Sequence, residues 1–179
     1  MKNNKKIGEI GILLLLPLSI ITVPAYLTYK KIKSMRQLSF LGRNDLARGI
    51  RNNNPFNLIK TQIDWKKKVP HDQNTDIHFE QFETLEYGIR AGLMQVRNDI
   101  KKGYDTIDLL IHKFAPPVEN DTNQYAYQVA QSTKIGIKEK LQPDRKTVIA
   151  ISRAICRHEN GKDANLIPNR LFELAYLLL

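Results

Sequence analysis

The chain has 179 residues, 42% of them apolar and 26% charged, with a formal net charge of +10. That length admits one domain with an extension and excludes two well-packed ones, and the apolar share excludes a wholly disordered chain. A single cysteine, Cys156, excludes an internal disulfide framework and a cysteine-based metal cluster. It follows the apolar run Val148-Ile149-Ala150-Ile151 and adjoins Ile155, which reads as a core residue rather than a reactive thiol.

The charge is unevenly placed. Residues 1–36 hold seven basic residues against Glu9 alone, a net of +6, and the other 143 residues hold 21 basic and 17 acidic, a net of +4. The basic residues bracket an uncharged block of twenty residues from Ile10 to Tyr29. As a helix at about 1.5 Å per residue it would span roughly 30 Å, the thickness of a hydrocarbon core. Tyr26 and Tyr29 fall where an interfacial aromatic belt would lie, directly before Lys30 and Lys31. A cleaved secretory signal is the competing reading, with Val23 and Ala25 as small residues before a cut. The length and the basic far flank favour a retained anchor. The expected organisation is a basic tail at 1–9, a transmembrane helix at 10–29, a basic stalk at 30–45 and a folded domain at 46–179, giving a single-pass protein of the virion or host membrane.

Within the domain, Asn52-Asn53-Asn54-Pro55 is a turn cluster, since asparagine tolerates left-handed backbone and Pro55 disfavours helix before it. Extended pieces are expected at Phe56–Thr61 and Ile77–Phe82, with Ile77, Phe79 and Gln81 on one face and the link Lys66–Asp76 closing a small hairpin. Leu85, Ile89, Leu93, Val96 and Ile100 then recur at helical spacing, with Thr84 placed to cap and Gly103 to stop. Further helices are expected at Asp105–Phe114, at Thr122–Ser132, from Pro143-Asp144 to Asn160-Gly161, and from Pro168 to the chain end. The fold class is α+β, mostly α, with a small β element near the start of the domain.

His71, His78, His112 and His158 sit in no recognised ligand spacing, no glycine-rich segment joins a strand to a helix, and no nucleophile–histidine arrangement is legible. No metal and no cofactor is expected. Carboxylates remain. Glycoside cleavage needs a carboxylic acid near the scissile oxygen, kept protonated by a partly apolar site, and often a second group that stabilises charge. Three places qualify: Glu83 with Glu86 beside Phe82 and Tyr87, Glu119 after Pro116-Pro117-Val118, and Glu159 before Asn160-Gly161. Glu83 and Glu86 would also favour a helix N-terminus, and Glu119 would also suit a loop acid ahead of a cap at Asp121 or Thr122. Glu159 in a last helical turn is opposed by the helix dipole and wants another reason to be there.

The run Arg48-Gly49-Ile50-Arg51-Asn52-Asn53-Asn54-Pro55, with Asn57, Trp65, Phe79, Phe82 and Glu86-Tyr87-Gly88-Ile89-Arg90-Ala91, resembles the opening of phage and prophage peptidoglycan-degrading proteins of the lysozyme-like type, including virion-associated lytic transglycosylases. The resemblance continues through Thr106, Ala115-Pro116-Pro117 and Glu119-Asn120-Asp121-Thr122 to Tyr125, and again at Arg157 to Gly161. It departs at Phe56 and at Lys66-Lys67-Lys68, where glycines are expected, so the substrate-side loop is expected to differ. Glu159-Asn160-Gly161 is similar to the Glu-Ser-Gly motif of lytic transglycosylases. Gly92-Leu93-Met94-Gln95 matches their Gly-Leu-Met-Gln segment, but the two motifs occur in reversed order, through permutation or coincidence.

The resemblance implies a lysozyme-like fold and cleavage of the glycan strand of peptidoglycan; taken with the apolar block at 10–29, the expected protein is a membrane-anchored, virion-associated enzyme that aids genome delivery or host lysis. Glu159 ranks first as its acid, ahead of Glu119, Glu83 and Glu86. A lysozyme-type hydrolase would add a second carboxylate, from Asp121 or Glu86. Asn52, Asn53, Asn54, Trp65, Tyr87 and Tyr125 are candidate sugar contacts, because amides and aromatic faces suit glycans. The expected partners are peptidoglycan, a lipid membrane and other virion proteins. Nucleic acid is not expected, since the domain's basic residues are spread among acids apart from Lys66-Lys67-Lys68. The alternative is a non-catalytic virion protein that binds wall or capsid.

Overall fold

Apolar residues at helical spacing build most of the structure, a computed structural model that describes residues 23–116 and 121–179. Among these residues the α-helices are α1 (Val23–Arg36), α2 (Arg48–Arg51), α3 (Leu85–Lys101), α4 (Ile107–Phe114), α5 (Thr122–Thr133), α6 (Arg145–Asn160) and α7 (Asn169–Tyr176), with a 3-10 helix at Gly161–Leu166. Helix α3 is the central one. Its Leu85, Ile89, Leu93, Val96 and Ile100 are all buried, and it packs against α6 and α7. Thr84 takes the N-cap backbone but makes no side-chain cap bond. A cap is worth about 1 kcal/mol and each buried Leu, Ile or Val about 1.5–3 kcal/mol, so core burial and not capping holds this helix. Caps form elsewhere: Thr106, Asp121 and Asp144 accept the N–H groups of Leu109, Gln124 and Thr147 at 3.1, 3.1 and 3.0 Å.

The expected α+β class is corrected to all-helical. No strand occurs among the described residues: the two extended pieces meet at one isolated antiparallel bridge, Ile59 with Phe79, and a second bridge joins Lys68 of the link to Phe82. Asn53, Asn57 and Lys67 have left-handed backbone (φ 52, 49 and 60), which interrupts any extended run. Side chains then satisfy backbone groups that a ladder would have paired. Asn54 Nδ2 donates to the carbonyls of Leu58 and Glu80, and Asn74 Nδ2 donates to that of Phe79. The alternation is lost too. Ile77 and His78 are exposed, Ile77 to 92%, whereas Glu80, Gln81 and Phe82 are all buried. Glu80 faces inward because it accepts from Thr61 N–H at 3.0 Å and lies 3.2 Å from His71 Nε2 and 3.8 Å from Lys68 Nζ.

The transmembrane helix and the single-pass membrane localisation are also overturned: no helix among the described residues is long and apolar enough to cross a membrane. Residues 10–22 of the expected span lie outside the described residues. The remainder, Val23–Tyr29, is the first half of α1, which runs on through Lys30, Lys31 and Lys33 to Arg36. The fourteen described residues of α1 make about 21 Å of helix, short of the roughly 20 residues a bilayer needs. Segment 30–45 packs in part on the domain. Ile32, Met35, Leu38 and Phe40 pack on the core, Leu38 accepts the Leu85 N–H at 2.9 Å, and Asn53 Oδ1 accepts the Phe40 N–H at 2.8 Å.

The long loop between α2 and α3 is fastened at Asp76. Its carboxylate receives Arg48 through two 2.7 Å bonds, Asn52 Nδ2 at 2.8 Å, and the backbone N–H groups of His78 and Phe79 at 2.9 and 2.8 Å. Arg48 and these donors hold the carboxyl well below the usual carboxylate range. Because the folded value is depressed, the stabilisation is complete above the unfolded carboxylate value and fades as pH falls below about 4. Asp76→Asn should therefore cost about 2 kcal/mol at neutral pH and flatten the acid limb of the stability curve. Urea denaturation at pH 7 and at pH 3 checks this, and an equal loss at both would contradict it.

Candidate functional site

Glu159 lies in the last turn of α6, half-buried, after a run of core residues that includes Ile151, Ile155 and Cys156. A carboxylate at a helix C-terminus is disfavoured by about 0.3–1 kcal/mol. Two charge-assisted hydrogen bonds, each worth about 1.5–3 kcal/mol, outweigh that cost. Tyr125 on α5 donates its hydroxyl to Oε1 at 2.9 Å, and Asn57 Nδ2 donates to Oε2 at 2.8 Å. Tyr125 is 1% exposed. Burial, reinforced by Glu159, pushes its phenol far above the ordinary value, so it stays a neutral donor. On its other side Tyr125 carries the His158 ring, stacked at 3.5 Å between centroids and 13° between planes. His158 Nδ1 in turn lies 2.8 Å from Gln128 Oε1. Burial lowers His158 below its ordinary value against the pull of Glu159, and burial raises the Cys156 thiol, with Glu159 adding to it.

Asn57 reaches Glu159 because its loop is clasped to α6. Asn160, the residue after Glu159, donates Nδ2 to the carbonyls of Pro55 and Cys156, both at 2.8 Å. The left-handed backbone of Asn57, with its N–H on the Asn54 carbonyl at 2.9 Å, then turns the side chain back toward the helix end. The Oδ1 atoms of Asn57 and Asn160 are buried without hydrogen-bond partners, and both abut Gly49 of α2. Only a residue without Cβ leaves room for them.

Comparison with known proteins agrees with a phage origin. No family model matches the chain. Protein P5 of Pseudoalteromonas phage PM2 is 39% identical over 125 residues, which are 67% of this chain and 75% of the phage protein. The chain belongs to the family of protein P5.

In this P5-family chain the structure brings together two of the sequence candidates, Glu159 and Tyr125. The others are elsewhere. Glu119 lies outside the described residues. Glu83 is exposed and pairs with Lys67 at 3.0 Å. Glu86 is buried on α3, 3.4 Å from Arg36, and burial raises its carboxyl while Arg36 opposes the shift. Asn52, Asn53 and Asn54 are at most 2% exposed and fasten the loop from within. Asn52 bonds Asp76 and Gln81, Asn53 bonds Phe40, Ser39 and Phe82, and Asn54 bonds Leu58 and Glu80. Their amides are engaged in the fold and do not present themselves to a ligand. Trp65 is buried in a small cluster with Phe82 and Ala91, against which Tyr87 packs.

Asn57, His158 and Gln128 are the residues of this site that the candidate set omits. For Asn57 the signal was present as an Asn two residues past the Asn-Pro turn. The Gln128–His158 pairing joins α5 to α6 and has no signal in sequence spacing.

Gly49→Ala tests the clasp. The added Cβ would overlap Asn160 Oδ1, come within 2.9 Å of Asn57 Oδ1 and within 3.0 Å of the Asn54 carbonyl. Stability should fall by about 1–3 kcal/mol, with the side-chain amide signals of Asn57 and Asn160 displaced in NMR spectra. A variant as stable as wild type with those signals in place would contradict the packing described.

Proposed function

We propose that this P5-family protein is a phage peptidoglycan-degrading enzyme that cuts the glycan strand as a lytic transglycosylase, with Glu159 as its acid and base, to aid genome delivery or host lysis. The observation that carries the reading is the carboxylate of Glu159 at a helix end, gripped by Tyr125 and Asn57. In this mechanism Glu159 donates a proton to the glycosidic oxygen as the C–O bond breaks. It then removes the proton from the sugar's own hydroxyl as that oxygen closes an internal ring, so no water is consumed. A tyrosine hydroxyl can donate to a carboxylate and accept from a carboxylic acid, so the Tyr125 contact serves both states.

The transglycosylase form is preferred over the hydrolase because both candidates for the second carboxylate are engaged elsewhere. Asp121, one of the two candidates for that role, caps α5, and Glu86, the other, faces Arg36. The partner under this reading is peptidoglycan, alongside other virion proteins.

A non-cleaving phage protein that binds wall or capsid is the second reading. One observation favours it: both Glu159 oxygens already have donors. Two open clefts, one lined by Lys30, Lys33 and Ser39 and one by Tyr127, Lys134 and Ile137, include none of the Glu159 contacts.

Glu159→Gln keeps the shape and removes the proton transfer, so wall clearing should fall about 100- to 10,000-fold, while loss of the two charge-assisted bonds should cost about 1–3 kcal/mol of stability. Mass analysis of fragments released by the wild type should show anhydro ends. Full clearing by the Gln variant would remove Glu159 from the mechanism, and binding to walls without any clearing by the wild type would select the second reading.

A further inference from the structure

We infer that His158 is a substrate-binding residue of the Glu159 site, its Nε2 accepting a hydrogen bond from a hydroxyl or acetamido N–H of a glycan beside the scissile bond. The inference rests on the glycan-cleavage reading and adds a contact that the reading does not require. An exposed histidine on a helix is ordinarily free to change rotamer; this one is fixed twice. Its ring lies flat on Tyr125 at 3.5 Å and 13°, and its Nδ1 lies 2.8 Å from Gln128 Oε1. A carboxamide oxygen can only accept, so Nδ1 carries the hydrogen. In the neutral ring Nε2 is then a bare acceptor.

The same Tyr125 that supports the ring bonds Glu159, so one phenol sets both the acceptor and the carboxylate. Packing alone would be met by any flat ring on Tyr125. The bond to Gln128 is the part that packing leaves unexplained, because it selects a tautomer. The groups around the imidazole are Tyr125 and Gln128 from α5 and Glu159 from its own helix. Burial keeps the ring neutral near pH 7 against the pull of the Glu159 carboxylate. Wall glycan is rich in O–H and N–H donors, the complement of such an acceptor.

The test uses the full chain carrying Glu159→Gln, titrated with a tetramer of N-acetylglucosamine and followed by NMR. The 15N spectrum of His158 should show Nδ1 protonated and Nε2 bare at pH 7.5, and the ring signals should shift as the tetramer binds. His158→Phe retains a flat ring for the stack but has no acceptor, and it should weaken binding roughly 5- to 10-fold. In the chain with Glu159 intact, the same change should raise KM for wall fragments more than it lowers kcat. Binding should also weaken on acidification as Nε2 gains a proton, and this dependence should vanish in His158→Phe. A protonated Nε2 at pH 7.5, or equal binding by His158→Phe, overturns the inference while leaving Glu159 untouched. Absence of both tetramer binding and wall clearing in the respective proteins overturns the glycan reading, and the inference with it.

Discussion

The rest of the structure depends on the clasp at the end of α6. Asn160 Nδ2 holds two carbonyls at once, that of Cys156 one turn back in its own helix and that of Pro55 in the loop after α2. A backbone carbonyl has a second lone pair beyond the one its helix uses, so an asparagine at the helix end can bond back to it while reaching out to another chain segment. That second reach brings the Asn-rich loop against α6 and sets Asn57 within 2.8 Å of Glu159. The cost is a pair of buried amide oxygens without partners, crowded against Gly49. Leaving such atoms unpaired costs about 1–3 kcal/mol each, so the contacts the clasp makes must exceed that cost.

Amide side chains perform in this loop what a β-sheet would do elsewhere. Residues 52–82 have short backbone pairings, such as Glu80 N–H to the Leu58 carbonyl at 2.8 Å and Val69 N–H to the Gln81 carbonyl at 2.8 Å, but no ladder grows from them. Asn52, Asn53, Asn54, Asn74 and Gln81 fill the gaps, and Asp76 gathers five donors around one carboxylate. A loop held by buried polar bonds is directional where an apolar cluster is not, since each amide fits only one arrangement of partners. This gives Asn57 a defined direction even though it lies outside regular structure.

The helices were legible in the sequence because their cause is local. The spacing of Leu85, Ile89, Leu93, Val96 and Ile100 is itself the buried face of α3, and Asp144 caps where Pro143-Asp144 announced a start. Glu159 was legible for a different reason: an acid in a last helical turn is opposed by the dipole, and the opposing donors proved to be Tyr125 and Asn57. The small β element does not form although Ile77 and Phe79 alternate like a strand, because the interior is occupied by Glu80, which accepts from Thr61. Burial of a carboxylate through Thr61, Lys68 and His71 depends on residues far along the loop, which a periodicity of two does not encode. The buried roles of Asn52 to Asn54 were hidden likewise, since an amide suited to a sugar is equally suited to a backbone carbonyl.

The electrostatics narrow which groups at this helix end can exchange protons. Tyr125 is nearly inaccessible and its phenol is pushed upward first by burial and then by Glu159, so it remains protonated wherever the protein is folded. Cys156 is buried with the same sign of shift and remains a thiol. Asn57 and Gln128 do not titrate. His158 is the side chain of this site whose shift runs downward, burial outweighing the pull of Glu159. Glu159 and His158 share one phenol, bonded to the first and stacked on the second. Both residues lie in the last turn of α6, so one tyrosine from α5 sets the position of each.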